Sequence, residues 1–315
     1  LRVYPNGMRY GEMENVVDGE GKPRKISKIV LGTMLEGAVD KFTHGLALFD
    51  DFYERGGTCF DTAHIYGTEK VLGHWFQTRG VRGGMTLIVK GAHPPRCTPD
   101  GFRRELEISL DRLGTTGDIY MLHRDNLEVP VGEWVDALSE GVEQGFYRAF
   151  GGSNWSLERL QEANDYAKAK GVAGFSCASN NFSLARLVSP VWDGCISSSD
   201  AASRAWFEAN GLSLFSWSSQ ARGFFARAAR DFTADKELVR CWYSDDNFER
   251  LERAQKLARE RGVSPVVIAA AYVLAQPFPI YALIGPRALA ETSDSMGAFE
   301  VELSADEVKW LNLED

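Results

Sequence analysis

The sequence has few cysteines, and their arrangement predicts neither a disulfide framework nor a structural zinc site. There are five, widely spaced and never in a Cys-x-x-Cys pair: Cys59, Cys97, Cys177, Cys195 and Cys241. An odd number of dispersed cysteines favours free thiols in a reducing compartment over paired ones.

Long apolar runs and an excess of positive charge are also missing. No stretch approaches the roughly 18 apolar residues that span a bilayer, and residues 1–7 lack the apolar core of a signal peptide. The formal net charge is −9, and no basic stripe with interleaved aromatic residues occurs. We therefore expect a cytoplasmic protein that binds neither membranes nor nucleic acids.

What the chain does contain is a regular alternation of short apolar runs and amphipathic segments. The runs predict strands near 29–34, 58–62, 86–91, 119–123, 148–153, 174–179, 212–217 and 280–284. Helical periodicity covers 101–113, 156–169, 247–260 and 264–275, among other segments. Eight strands separated by helices predict a (β/α)8 TIM barrel, with a doubly wound open sheet as the competing architecture.

No internal repeat, low-complexity tract or linker divides the sequence, so we expect residues 1–315 to form a single barrel domain. Residues 1–25 are rich in turn-forming pairs and are predicted to form an N-terminal hairpin that closes the bottom of the barrel. Longer loops are expected at about 181–200 and 219–245. Both follow predicted strands, which places them on the catalytic face.

Four polar residues come at or just beyond the ends of three consecutive predicted strands. Asp61 and Tyr66 follow the second strand, Lys90 ends the third, and His123 ends the fourth. Individually, Asp61 could cap a helix, Tyr66 could be a packed aromatic residue, and Lys90 could be a solvated surface group. Their joint occurrence at one edge favours a catalytic tetrad, since barrel enzymes build active sites there.

The four residues suit proton transfer to a carbonyl oxygen, with Tyr66 as the proton donor. A tyrosine hydroxyl has an ordinary pKa near 10. At contact distance and an effective dielectric constant of ~20, an ammonium attracts a phenolate by about 4 kcal/mol. We therefore predict that Lys90, held charged by Asp61, lowers the pKa of Tyr66 by about one to three units. His123 would hydrogen-bond the substrate oxygen.

Several motifs in a fixed order resemble those of the aldo-keto reductase family. They span residue 26 to the end of the chain: Asp61-Thr62-Ala63 with Tyr66-Gly67, Val89-Lys90, Leu122-His123-Arg124, Gly152-Ser153-Asn154, Arg222-Gly223, Ile284-Gly285-Pro286-Arg287 and Trp310-Leu311. The resemblance implies a nicotinamide-dependent carbonyl reductase without a metal and without a Gly-x-Gly-x-x-Gly fold. No such glycine motif follows the first predicted strand.

The resemblance also implies roles for individual residues. Ser153 and Asn154 would bind the nicotinamide carboxamide, Trp217 would stack on the ring, and Arg287 would grip the adenosine phosphate. The remaining residues with a predicted cofactor role are Asn180, in place of the family's usual Gln, and Arg222, Gly285 and Glu291. The family implies NADPH, whereas an acidic Glu291 near the ribose makes NADH possible.

The expected partner is a small aldehyde or ketone. Trp155, Trp192, Trp217 and Trp242 all follow predicted strands and would line an aromatic pocket. Met34, Trp155 and Trp192 are predicted to contact substrate. Aromatic loops with polar neighbours can stack on a ring and bind hydroxyls, so a sugar-like carbonyl is favoured by Trp155, Trp192, Asp193 and Asn126.

Two other functions are compatible with parts of the sequence. A nicotinamide-binding regulatory or sensor subunit with little turnover would share the fold and the cofactor site. A metal hydrolase would use His64, His93 and His123, but no His-x-His or His-Glu-x-x-His spacing supports a metal.

Overall fold

Eight parallel strands close into a barrel in a computed structural model of the chain, which describes residues 7–314. The barrel strands follow one another around the barrel in chain order, and the last pairs with the first. They are β3 (Ile29–Gly32), β4 (Cys59–Ala63), β5 (Thr86–Gly91), β6 (Ile119–Leu122), β7 (Ala149–Ser153), β8 (Cys177–Ser179), β9 (Ser213–Ser216) and β10 (Ile280–Ile284). All eight predicted strands and the predicted TIM barrel are confirmed.

Helices lie between successive barrel strands and beyond the last one. They are α1 (Lys41–Glu54), α2 (Glu69–Arg79), α3 (Pro99–Leu113), α4 (Val131–Glu143), α5 (Leu157–Lys170), α6 (Ala201–Asn210), α7 (Phe224–Arg227), α8 (Lys236–Trp242), α9 (Asp245–Arg261), α10 (Pro265–Leu274), α11 (Leu289–Met296) and α12 (Ala305–Leu311). Short 3-10 turns occupy His64–Tyr66, Arg82–Gly84, Ala221–Gly223 and Gly297–Glu300. The four helices predicted by number are present, with ends that differ by at most two residues.

Alternation of side chains along the strands separates two hydrophobic cores. In β3 and β5, Ile29, Leu31, Leu87 and Val89 pack outward against the helices. Val30 and Ile88 point the other way, into a smaller cluster inside the barrel. The strands are therefore buried on both faces, which explains their continuous apolar runs.

The N-terminal segment covers the barrel at the amino ends of the strands. Strands β1 (Tyr10–Gly11) and β2 (Ile26–Ser27) pair antiparallel, and Val17 pairs with Pro23 between them. Met13 and Val16 are buried with inward-facing residues such as Cys59 and Ile119, which begin their strands. The predicted N-terminal hairpin is thus confirmed, but its second strand, Ile26–Ser27, lies just beyond the predicted end at residue 25. Residues 1–6 lie outside the described part of the chain.

One expected loop is partly helical. The segment predicted as a loop at 219–245 contains the turn Ala221–Gly223, α7 and α8. Apolar side chains spaced along it, among them Phe224, Phe225 and Leu238, are buried in the outer core and so give these short helices a packed face. In residues 7–314, no helix is long and apolar enough to cross a membrane. The assignment of residues 1–315 to one domain stays a prediction.

Candidate active site

The same alternation that builds the inner core delivers polar side chains to the carboxyl end of the barrel. Cys59 points inward in β4, so Asp61 does as well; Ile88 and Lys90 share this relationship in β5. Inward-facing Ile119 and Met121 in β6 are followed by His123 one step beyond the strand. Three neighbouring parallel strands therefore present their last inward positions to one cavity.

Asp61 and Lys90 form a buried ion pair, in which Lys90 Nζ donates a short hydrogen bond to Asp61 Oδ1. The second oxygen, Asp61 Oδ2, is buried without a partner among the described residues. Burial alone would lower the pKa of Lys90, but the charge of Asp61 and the Tyr66 hydroxyl outweigh it, so the pKa lies above its ordinary value. Lys90 is therefore a fixed cation at neutral pH.

Tyr66 and His123 lie beside this pair. Tyr66 ends the 3-10 turn after β4, where Gly67 takes a positive φ of 68° to lead into α2. Lys90 Nζ lies 5.3 Å from the centroid of the Tyr66 ring, and the rings of Tyr66 and His123 meet edge to face at 5.8 Å. The structure thus brings together all four residues of the predicted tetrad.

The pKa of Tyr66 is shifted in the direction opposite to the expected one. Burial raises this pKa above its ordinary value, and the attraction of Lys90 only partly offsets the shift. The expected lowering was wrong because it counted the ammonium but not the loss of water around a half-buried phenol or the charge of Asp61. The phenol consequently stays protonated at neutral pH.

His123 is a neutral imidazole for a related reason. Burial lowers its pKa well below the ordinary value, and the charges of Lys90, Arg124 and His93 act in the same direction. Its Nδ1 is buried and lacks a partner among the described residues. A neutral ring carries one N–H donor.

A cavity of about 650 Å³ opens above the tetrad. Its walls include two of the predicted substrate residues, Met34 and Trp192, and seven of the predicted cofactor residues: Ser153, Asn154, Trp217, Arg222, Gly285, Arg287 and Glu291. The cavity thus contains the tetrad and most of the residues to which the family resemblance assigns contacts.

Trp155 is not at the cavity, contrary to prediction. It is fully buried in the outer core, tilted against Phe175 at 4.9 Å. A Cβ atom on Gly152 would lie 2.6 Å from Cγ of Trp155 and would clash with the indole. Glycine at this position therefore leaves the space that Trp155 occupies against β7. Trp242 is buried in the same core, which leaves only Trp192 and Trp217 of the four expected tryptophans on the cavity wall.

Asn180 is a second correction. Its side chain is buried and donates to the main-chain oxygen of Trp155 and to Ser198, away from the cavity. Asn126, considered for substrate, likewise donates to the carbonyl of Cys97. Both amides hydrogen-bond to other segments of the protein and not to a ligand, because polar side chains removed from solvent are generally hydrogen-bonded.

Ser153 and Asn154 form a small polar unit at the end of β7. Ser153 donates to the carbonyl oxygen of Ser179 at 2.9 Å, and Asn154 Nδ2 donates to Ser153 Oγ at 3.1 Å. The side-chain oxygen of Asn154, Oδ1, accepts a hydrogen bond from the main-chain N–H of Ile196. The backbone of Asn154 has a positive φ of 59°. One N–H of the Asn154 amide therefore has no protein partner in the described residues and is available to a ligand.

Two arginines in the cavity wall, Arg222 and Arg287, lie close to the same carboxylate. Arg222 Nε contacts Glu237 at 2.6 Å, and its Nη2 contacts Glu36 at 3.0 Å. Arg287 Nη2 lies 3.7 Å from Glu36, while its main-chain N–H donates to Glu291 at 2.6 Å. Glu36 therefore links the loop after β3 to the loops after β9 and β10.

Sequence reasoning missed Glu36 and gave no role to other lining residues, among them Arg124, Cys195 and Gln220. Glu36 does follow the first barrel strand by four residues, so its position on the catalytic face could have been anticipated. His64 contacts Ser109 and does not line the cavity. In the described part of the chain, no group of three or more His, Cys, Asp or Glu side chains could hold a metal ion.

Comparison with known proteins identifies the family. The profile of the Aldo/keto reductase family matches residues 28–312. The chain belongs to this family. It is 26% identical to the uncharacterized oxidoreductase YrpG of Bacillus subtilis, covering 91% of this chain and 92% of that protein.

Two further relatives carry more specific names. Norsolorinic acid reductase stcV of Emericella nidulans is 28% identical, over 90% of this chain and 77% of that protein. Aldo-keto reductase yakc of Schizosaccharomyces pombe, whose name includes NADP(+), is 27% identical over 81% and 77%. The chain is thus an oxidoreductase of a family that reduces carbonyl compounds with nicotinamide cofactors.

A solved structure supports the fold independently. The thermostable aldo-keto reductase Tm1743, in complex with the inhibitor epalrestat, superposes with a TM-score of 0.76 at 23% identity. The match covers 98% of this chain and all of that one.

The Asp61–Lys90 pair gives a stability prediction. Replacing Lys90 by Met leaves a buried carboxylate without its cation, which typically costs 3–5 kcal/mol, roughly, in the free energy of unfolding. The double variant K90M/D61N should recover part of this loss, because the orphaned charge is also gone. Urea unfolding measures both.

Lys70→Met, at an exposed lysine of α2, is the matched control and should stay within about 0.5 kcal/mol of the wild type. Equal stability of K90M and the wild type would contradict the assignment of Asp61 and Lys90 as a mutually dependent pair.

Proposed function

We propose that this protein reduces an aldehyde or ketone to the alcohol with a nicotinamide cofactor, and that Tyr66 donates the proton. The observation that carries the proposal is the contact cluster of Asp61, Lys90, Tyr66 and His123 in the wall of one cavity. Its ionisation fits the reduction direction, since the phenol is protonated, the lysine charged and the imidazole neutral.

Proton transfer follows from these states. Tyr66 gives its proton to the carbonyl oxygen as negative charge develops there, and the fixed ammonium of Lys90 stabilises the phenolate that remains. Asp61 holds the ammonium in place, and its own charge raises the pKa of Tyr66 by less than Lys90 lowers it. Burial disfavours the phenolate, so the attraction between Lys90 and Tyr66 is strongest once the Tyr66 proton has moved to the substrate.

His123 orients the substrate oxygen. A neutral ring donates one N–H without adding a full charge that would compete with Tyr66 for the same oxygen. The edge-to-face contact with Tyr66 sets the relative position of the two donors. A carbonyl oxygen has two lone pairs and accepts from both.

The residues along the rest of the cavity fit the dinucleotide that the family uses. Bound nicotinamide supplies the hydride that no side chain can provide. Trp217 offers an aromatic face, Ser153 and Asn154 offer polar groups for the carboxamide, and Arg287 offers a cation for phosphate. Gly285 and Arg222 line the same part of the cavity.

For the cofactor we propose NADPH with NADH also accepted. The side chain of Arg287 is 55% exposed, and among residues 7–314 its guanidinium has one ion-pair contact, with Glu36 at 3.7 Å. It is thus available to a 2′-phosphate, but the carboxylates of Glu36 and Glu291 nearby oppose a dianion and suit a free ribose hydroxyl.

A sugar-like substrate has less support than the broader carbonyl class. Of the four side chains that favoured it, Trp192 and Asp193 line the cavity, whereas Trp155 and Asn126 do not. We therefore propose only the broader class, an aldehyde or ketone that reaches the tetrad past Met34 and Trp192.

Tyr66→Phe should lower kcat/KM for carbonyl reduction by roughly 10²–10⁴-fold, the usual contribution of a positioned general acid. Cofactor affinity, measured by quenching of tryptophan fluorescence, should be retained. Tyr166→Phe is the control, because Tyr166 is a half-buried tyrosine that contacts Asp136 away from the cavity. Near-normal turnover in the Tyr66 variant would refute the proton-donor role, and cofactor binding without turnover in the wild type would favour the regulatory alternative.

The pH profile tests the ionisation states. Because the pKa of His123 is lowered and that of Tyr66 raised, neither group changes charge between about pH 6 and 9. The kcat/KM for reduction at saturating cofactor should therefore be flat over this range. An acid limb near an ordinary histidine pKa that disappears in His123→Gln but persists in His93→Gln would show that His123 titrates during catalysis.

Glu291→Gln should shift cofactor preference toward NADPH. Two unit charges about 4 Å apart in water interact by about 1 kcal/mol, so removing the carboxylate should raise the NADPH-to-NADH affinity ratio about fivefold. Glutamine keeps an oxygen for the Arg287 N–H. Glu300→Gln, at an exposed residue outside the cavity, should leave the ratio unchanged; an unchanged ratio in Glu291→Gln would remove Glu291 as the discriminator.

A further inference from the structure

Arg124 lies directly after His123 and lines the catalytic part of the cavity. It is only 7% exposed. Its charge acts on the pKa values of both Tyr66 and His123, which places it close to the reacting groups. The proposed proton transfer makes no use of it.

The guanidinium has no carboxylate within salt-bridge distance among residues 7–314. Its Nη1 donates to the carbonyl oxygen of His123 at 2.8 Å. The other two contacts are long: Nε to the main-chain oxygen of Asp193 at 3.4 Å and Nη2 to Cys195 Sγ at 3.5 Å. A guanidinium has five N–H donors, so at least two of them have no described protein partner.

Neighbouring carboxylates are committed elsewhere or face away. Asp125, the next residue, is held bidentate by Arg159 at 2.8 and 3.0 Å. Asp193 lines the cavity, yet it meets Arg124 through its main-chain oxygen, and its carboxylate accepts from Gly194 N. Asp61 is paired with Lys90.

A buried arginine is ordinarily paired, because an uncompensated charge away from water is costly. We propose that Arg124 binds a carboxylate of the substrate, so that the preferred substrate is an aldehyde or ketone that carries an acid group. This inference rests on the proposed reductase function and adds a substrate class to it.

The two N–H groups without a described partner, one on Nη1 and one on Nη2, match in number the two oxygens of a carboxylate. A dianionic group would need a further uncompensated cation on this wall, but the neighbouring Arg222, whose guanidinium lies 5.0 Å from the centroid of the Trp192 ring, is paired with Glu36 and Glu237. Trp192 is 40% exposed and could cover the carbon chain or ring between carbonyl and acid.

The test compares 4-formylbenzoate with its methyl ester, which differ in charge but present the same aldehyde. At saturating cofactor, the wild type should show a higher kcat/KM for the acid. In Arg124→Gln the acid-to-ester ratio should fall by roughly 10- to 100-fold, the loss expected for a charge-assisted bidentate contact. Arg124→Lys, which keeps the charge and loses the fork, should give an intermediate ratio.

The ratio separates substrate binding from a structural role. If Arg124 only held the carbonyl of His123 in place, its loss would slow the acid and the ester alike and leave the ratio unchanged, which would overturn the proposal. Arg104→Gln is the matched control: it removes an exposed guanidinium of α3 that does not line the cavity, and its ratio should equal that of the wild type.

A binding measurement keeps the inference distinct from the reductase proposal. Titration with 4-(hydroxymethyl)benzoate and its methyl ester, followed by tryptophan fluorescence, needs no turnover. Preferential binding of the acid that is lost in Arg124→Gln supports the carboxylate site even if neither aldehyde is reduced, an outcome that would defeat the proposed reaction alone. Equal binding of acid and ester by the wild type overturns the site.

Discussion

The ion pair between Asp61 and Lys90 is the interaction on which the candidate active site depends. Both side chains point into the barrel, where each charge alone would be too costly to keep. As an ion pair, Asp61 and Lys90 place a fixed cation beside Tyr66, while the net charge of the pair is close to zero. Because β4 and β5 pair in register, with Ala63 opposite Lys90, the backbone of the barrel itself holds the two groups at contact distance.

The barrel explains why these groups meet at all. Inward positions recur every second residue along parallel strands, and the same side of each strand that supplies Cys59, Ile88 and Ile119 to the inner core supplies Asp61, Lys90 and His123 at its end. The hairpin seals the opposite end with Met13 and Val16. Apolar side chains thus fill the barrel from below, and polar ones are concentrated where the strands end and the cavity begins.

This logic also marks what sequence could and could not predict. Strand order, the barrel and the tetrad were accessible, because each depends on a local pattern repeated along the chain. Trp155 and Asn180 were misplaced because lining a cavity depends on packing between distant segments: Gly152 opens the space that takes the indole, and Trp155 and Ser198 take the amide of Asn180. The predicted direction of the Tyr66 pKa shift was wrong for a similar reason, since the desolvation of the phenol depends on all the segments that surround it.

Charge is distributed unevenly along the cavity, and this asymmetry constrains what binds where. Arg222 is paired with both Glu36 and Glu237, so its positive charge is compensated, and Arg287 lies 3.7 Å from the same Glu36. At the catalytic end the Asp61–Lys90 pair is neutral overall, and Arg124 remains as a cation without a carboxylate partner among the described residues. The cavity wall beside His123 therefore holds a buried cation whose charge no described ion pair offsets. The carbonyl reduction that we propose develops negative charge on oxygen beside the same residues, so an uncompensated guanidinium there would favour both the acidic substrate that we infer and the transition state formed from it.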